Sequence, residues 1–251
     1  MNNYKFILAK HLKELGIERG DNIVLYSKLS SFGIVDKKFP KKFLEFLIKY
    51  LTNKGTLIMP SYSFENDNFV FDVKKISPNK TTGKLVKFFF KKKKIIRSLR
   101  PIHSHIGIGK KSHLLKSKYH NSFGKFSDFY FFTKNNFKCI FLGCDPSEAA
   151  TYFIHLEYLN KVPYKKKTII KKKIKINKKI KLVKFKYNIK ISNNKIDLNL
   201  GFKKMIKEGL IFKKSILPFG KSYALSFKDF EKYGNKIFKK NKFCLVKKFS
   251  T

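Results

Sequence analysis

The sequence predicts an α/β domain: a central mixed β-sheet flanked by helices, with an antiparallel hairpin region in the C-terminal third. Three observations carry this. Two short apolar runs, residues 23–26 and 56–59, enclose a stretch with helical spacing, the strand–helix–strand order of a parallel pair. Of the 251 residues 43% are apolar, enough to bury a core of this size. From Lys165 to Leu200, Lys or Asn alternates with Ile, Leu, Val and Phe, the period of two of a half-exposed antiparallel sheet.

In chain order, Phe6, Ile7, Leu8, Leu12 and Leu15 share one side of a helix over residues 4–15, which Gly16 stops. Gly20-Asp21 turns the chain into the strand Ile23-Val24-Leu25-Tyr26, which ends in a loop of small polar residues, Ser27-Lys28-Leu29-Ser30-Ser31-Phe32-Gly33. A second helix over 39–51 is introduced by Pro40 and is apolar at Phe43, Leu44, Phe46, Leu47, Ile48 and Leu51. A turn at 53–55 precedes the strand Thr56-Leu57-Ile58-Met59, closed by Pro60. A third strand over 138–142 runs into the turn Gly143-Cys144-Asp145-Pro146. Residues 202–209 suit a short helix, and 216–225 a strand around Pro218-Phe219-Gly220. No Ser/Pro-rich linker or repeat divides the chain, so one domain over 1–251 is expected. In α/β sheets ligands lie outside the carboxyl ends of the strands, which directs attention to the loops after Tyr26, Met59 and Leu142.

The formal net charge is +42, yet only three of the 58 basic residues are arginine: Arg19, Arg97 and Arg100. Proteins that read phosphates and bases favour the guanidinium fork, and diffuse lysine in a chain rich in Asn, Ile and Phe and without Trp fits an AT-rich coding sequence. The lysines therefore read as a solvated surface, with no specific nucleic-acid partner. A lysine-rich module for nucleic acid or an anionic membrane surface is the competing reading. Such a surface attracts anionic ligands and repels polycations. Cys139, Cys144 and Cys244 are odd in number and lack paired spacing, so neither a disulfide framework nor a metal site is indicated. No run approaches the roughly 20 apolar residues of a spanning helix. The expectation is a cytoplasmic protein without a transmembrane segment; a homo-oligomer stays open.

Three constellations are candidates for chemistry. The loop from Tyr26 to Gly33 presents hydroxyls and backbone N–H groups between strand and helix, which suits a phosphate or a thioester oxygen. The segment 97–109, RSLRPIHSHIGIG, gathers two arginines, two histidines and two glycines in a chain poor in arginine. Between Asp145 and Tyr164, a helix carries Glu148, Thr151, His155 and Glu157; histidine titrates near neutral pH, and a carboxylate supports its protonated form. A helix-surface histidine is the alternative.

Taken together these residues resemble the aminoglycoside 3-N-acetyltransferase family, a non-GNAT α/β fold. The resemblance runs through Leu15-Gly16, Gly20-Asp21, Tyr26-Ser27-Lys28-Leu29 to Gly33, Gly55-Thr56 and Met59-Pro60-Ser61-Tyr62. It continues with Ser77-Pro78, Thr82-Gly83-Lys84-Leu85, Arg97-Ser98, Pro101, Ser104, Gly109, Phe123-Gly124 with Ser127, and Leu142-Gly143. Thr151, Glu157, Val162-Pro163-Tyr164 and the segment from Phe219-Gly220 through Phe230 to Gly234 complete it. The resemblance implies an acyltransferase that takes acetyl-CoA and a small-molecule amine, an amino sugar or an aminoglycoside, and needs no metal. It implies coenzyme A contacts from Ser27, Lys28, Leu29, Ser30 and Ser31 and from Arg97, Ser98, Ser104, His105 and Ile106. It also implies a catalytic histidine supported by Glu157. Three positions depart from the family pattern. Tyr26 and Arg100 stand where histidines are usual, and Ile154 fills the histidine place of T-x-x-H-x-x-E, with His155 one residue later. One residue turns a helical side chain by about 100°. His155 and His103 are therefore alternative bases, and a catalytically inactive relative is the further alternative.

Overall fold

The computed structural model describes residues 3–33, 36–64, 69–149, 151–216 and 220–247. The first half runs α1 (Asn3–Glu14), β1 (Asn22–Ser27), α2 (Phe39–Leu51), β2 (Thr56–Pro60), β3 (Val70–Asp72), α3 (Lys84–Phe90), β4 (Ile96–Arg97) and β5 (His105–Gly109). The second runs α4 (Asp128–Lys134), β6 (Lys138–Leu142), α5 (Pro146–Ala149), α6 (Tyr152–Leu159), β7 (Lys165–Ile176), β8 (Lys179–Lys190), α7 (Leu198–Lys207), β9 (Lys213–Ser215), β10 (Ser222–Ser226) and α8 (Phe227–Lys240).

A seven-stranded sheet has the order β4-β5-β2-β1-β6-β10-β9. Its centre, β2-β1-β6, is parallel, as the strand–helix–strand pattern requires, and β5 and β10 add to it antiparallel. The sheet is mixed and covered by helices, as expected. Alternation along β1 divides the core in two. Ile23 and Leu25 pack with Leu8 and Leu12 of α1, Phe43 and Leu47 of α2 and Leu85 of α3. Val24 and Tyr26 pack with Phe129 of α4, Phe153 of α6, Met205 of α7 and Phe230 of α8. Because both faces are covered, β2 is buried at every position and β1 at its four central ones, the signature of a central parallel strand.

The alternating Lys/apolar region is a single long hairpin, β7 paired antiparallel to β8 over their whole length. It is not an extension of the main sheet. With β3 beside β7 it forms a separate three-stranded sheet around Phe71, Ile174, Val183 and Phe185. The helix expected at 202–209 starts earlier, at Leu198, because the Asp197 side chain accepts the N–H groups of Asn199 and Leu200, a regular N-cap. The strand expected over 216–225 is confined to Ser222–Ser226, and the Pro218-Phe219 part of that expectation lies outside the described residues.

Gly55 links α2 to β2 where the chain passes under its own backbone: a Cβ there would stand 2.6 Å from the carbonyl oxygens of both Asp21 and Leu51. Replacement by alanine forces the α2–β2 turn away from β1. Gly55→Ala is expected to cost about 1–3 kcal/mol, as other overpacked substitutions do, measured as a lower urea midpoint with an unchanged slope.

Candidate active site

The carboxyl ends of β1, β2 and β6 open on a cleft of about 450 Å³. Its walls are Tyr26, Ser27 and Lys28 at and beyond the end of β1, Met59, Pro60, Tyr62 and Phe64 at and beyond the end of β2, and Cys144 after β6. Thr151 and Ile154, at the start of α6, close one side and Thr81-Thr82-Gly83 the other. A second cavity of about 450 Å³ shares Ser27 and Gly83 with the first and extends along Leu29, Ser30, Asp36, Lys37, Phe39, Pro40, Lys84 and Phe88. Ser27 and Gly83 border both cavities. The φ of +89° at Gly83 suits glycine, and a Cβ there would meet the Ser27 carbonyl at 3.5 Å.

Of the loop residues expected to meet coenzyme A, Ser27 and Lys28 line the first chamber, and Ser27, Leu29 and Ser30 the second. Ser31 is absent from both linings; its Cβ lies 3.2 Å from where a Cβ on Gly220 would be. The arginine–serine–histidine segment lines neither chamber. Arg97 is buried, its guanidinium donating to the Ser104 hydroxyl (3.1 Å), the Ser61 carbonyl (2.6 Å) and the Ile76 carbonyl while lying over the Phe71 ring. Burial pulls its pKa down to about 10. Ser98, Arg100 and His105 converge on the buried Asp128: the Ser98 hydroxyl donates at 2.8 Å, Arg100 Nη1 stands at 2.7 Å, and His105 Nδ1 at 2.9 Å. Arg100, where the family pattern has histidine, thus holds a buried carboxylate. Ile106 is a core residue of β5. The segment forms the wall behind Tyr62, whose ring meets those of His103 and His105 edge-on at 5.0 and 5.4 Å.

The two expected bases lie beside the cleft, not among its lining residues. His155 is 1% exposed, stacks on Tyr152 at 5.2 Å, and its Nδ1 accepts the N–H of Gly124 at 3.2 Å. His103 is packed among Tyr62, Phe64, Phe123 and Tyr187. Burial pushes both imidazoles down to about 3. Such a group holds an abstracted proton poorly. Glu157 does not support His155: it is buried in an ion pair with Lys165, next to the Tyr164 hydroxyl. The side chain of Glu148 lies outside the described residues. Ile154 lines the cleft, and its neighbour His155 is buried in the core.

The sequence reading missed Tyr62 and Cys144 as cleft residues. Their signal was positional, since each follows the carboxyl end of a central strand. Tyr26 and Tyr62 are 5% and 6% exposed; their hydroxyls neighbour each other and that of Thr151, with no well-formed hydrogen bond to either tyrosine hydroxyl. Burial is the main cause that raises both phenols above their ordinary pKa. Among the described residues, no group of three or more His, Cys, Asp or Glu side chains is placed to hold a metal ion, and no helix is long and apolar enough to cross a membrane.

Solved structures share this architecture. YokD from Bacillus subtilis superposes with a TM-score of 0.77 at 21% identity, over 94% of this chain and 99% of its own. The aminoglycoside acetyltransferase AAC(3)-Xa gives 0.82 at 16% identity, over 96% and 93%. The binary complex of AAC-IIIb with CoASH gives 0.79 at 17%, over 94% and 96%. The fold is thus that of a non-GNAT α/β acetyltransferase. In sequence, the aminoglycoside 3-N-acetyltransferase family profile matches residues 24–231, and the chain belongs to that family of acyltransferases. Among curated protein sequences none matches it.

The buried histidines set an acid limit on the fold. Both are neutral when folded, with pKa about 3, against an ordinary 6.5 in the unfolded chain. Their contribution is therefore fully present above pH 6.5 and is lost as pH falls towards 3, at about 1.4 kcal/mol per pH unit for each imidazole. Urea titrations between pH 7 and 4 are expected to show stability falling with a slope of nearly two protons, reduced by about one in His155→Gln.

Proposed function

We propose that the chain transfers an acetyl group from acetyl-coenzyme A to the amine of an amino sugar. The observation that carries this reading is a pair of adjacent cavities that share Ser27 and Gly83, one bordered by Lys37, Lys84 and an Asp36 paired with Lys42, the other by two buried phenols. The lysine-bordered chamber suits the anionic end of coenzyme A, and the apolar, hydroxyl-lined chamber suits the acyl end. When bound, the co-substrate supplies the acyl group as an activated thioester. The protein's part is to hold the two ends, exclude water from the inner chamber and admit the acceptor beside Thr151 and Ile154. Likeness to AAC-IIIb, solved with CoASH, supports the assignment.

Electrostatics select the acceptor. At +42 the chain repels a polycationic aminoglycoside at long range and attracts an anionic, nucleotide-linked amino sugar. Calorimetry is expected to show saturable coenzyme A binding at moderate salt, weakened about five-fold by Lys84→Ala, the size of an exposed ion pair. Purified protein is expected to acetylate a UDP- or dTDP-linked amino sugar faster than any aminoglycoside; the reverse order rejects the acceptor assignment, and no coenzyme A binding rejects the reading as a whole.

Among the described residues, no imidazole or carboxylate lines the inner chamber. The acceptor amine therefore enters unprotonated. Below the acceptor's own pKa, kcat/KM is expected to rise about ten-fold per pH unit, without an inflection from a protein imidazole. Ile154→His places an imidazole in the chamber and is expected to add such an inflection, with a gain at pH 7 of up to about 10²-fold. An inflection near 6.5 already present in the unaltered protein, and lost in His155→Gln or His103→Gln, overturns this view.

A further inference from the structure

The orphaned phenols of the inner chamber have a use that the cleft's shape alone does not assign. We propose that the hydroxyls of Tyr26 and Tyr62 are catalytic donors that together hold the carbonyl oxygen of the bound thioester. This rests on the acyl-CoA reading above.

The two residues come from adjacent parallel strands. Tyr26 is the penultimate residue of β1, and Tyr62 lies two residues past the end of β2. Both line the inner chamber with Thr151. Both hydroxyl oxygens are shut off from solvent and make no well-formed hydrogen bond, although each lies close to the other and that of Tyr62 also close to the Thr151 hydroxyl. A buried hydroxyl left this way costs free energy that a ligand's acceptor atom recovers. Two such groups side by side fit one oxygen with two lone pairs, which is what an acyl carbonyl presents.

Both rings are fixed before any ligand arrives. Tyr26 stacks on Phe141 with centroids 5.2 Å apart. Tyr62 is held edge-on by His103 and His105. Its backbone is tied on either side, where the Ser61 N–H donates to the Ser104 carbonyl at 2.8 Å and the Ser63 N–H to the Ile102 carbonyl at 3.0 Å. Donors whose rings are already held in place stabilise developing charge more than ones that must first be ordered. In the neighbouring loop the N–H of Lys28 is taken by the Leu142 carbonyl and that of Ser31 by the Lys28 carbonyl. Burial keeps both phenols protonated, hence donors, across the working pH range.

In the transfer, the acceptor nitrogen bonds to the carbonyl carbon while electron density moves onto the oxygen held by the two phenols. That density returns as the C–S bond breaks. The sulfur leaves with the bonding pair and ends with the proton given up by the nitrogen, so the phenols donate hydrogen bonds and are not consumed.

The test uses acetyl-CoA labelled with ¹³C at the carbonyl, followed by difference infrared spectroscopy on the full-length protein. Binding is expected to shift the carbonyl band to lower wavenumber. Tyr26→Phe and Tyr62→Phe are each expected to reduce that shift, and the double variant to abolish it, with affinity for unacylated coenzyme A unchanged. Each single variant is expected to lower kcat for acetyl transfer to hydroxylamine roughly 10²–10³-fold. A shift that survives in the double variant, or in both singles should the double not fold, overturns the proposal and leaves the cleft reading standing. Failure of the unaltered protein to bind coenzyme A overturns both.

Discussion

The structure depends on the enclosure of β1, which has parallel partners on both edges and helices on both faces. A strand in that position has no exposed side, so its alternate residues must be apolar in two opposite directions. Ile23 and Leu25 meet α1 and α2 while Val24 and Tyr26 meet the aromatic layer of α4, α6 and α8. Its length and register then fix where it stops. Because β2 and β6 run parallel to it, all three stop on one edge of the sheet, and the chain leaves each through a loop that cannot pair further. The cleft is the consequence of three strands ending together.

The buried charge behind the cleft serves the same edge. Asp128, at the start of α4, is 1% exposed and would be untenable alone; Arg100, His105 and Ser98 surround it. Those partners all come from the stretch between β4 and β5 and its borders. Their convergence anchors a segment of irregular backbone against the core, and that segment in turn packs against Tyr62. Arg97 completes the anchoring by filling carbonyl acceptors at Ser61 and Ile76. A cluster of arginine, serine and histidine in sequence thus marks a scaffold for the chamber wall.

This explains what was legible in the sequence. The central strands could be read because double-sided burial writes them as unbroken apolar runs, and the long hairpin because its period of two is unmistakable. The edge strands β4 and β9 are two and three residues long, too short to show a period. The α8 helix opens with Ser226 accepting the N–H of Asp229, a cap hidden behind the preceding strand. The loop at Ser27 to Ser30 was legible as a cleft element since its position follows from topology. The inward side of the 97–106 segment was not, because the same polar residues serve a buried carboxylate as well as a ligand, and only their partners distinguish the two.

Helical register decides the remaining question, that of the base. Thr151 stands in a helical conformation just before α6, and within that helix residue 155 is buried in the core while residue 154 lines the chamber. Position 154 takes the place instead, and it is isoleucine. A methyl-bearing side chain there makes the chamber drier and less able to accept a proton. Dryness strengthens any hydrogen bond made inside it. Under the proposed acyl transfer, the chemistry such a chamber offers is polarisation of the acyl carbonyl, with deprotonation of the amine left to solvent before entry. The exchange is coherent: a site that cannot take a proton gains most from an acceptor that arrives neutral, and a strongly cationic surface favours the same arrival.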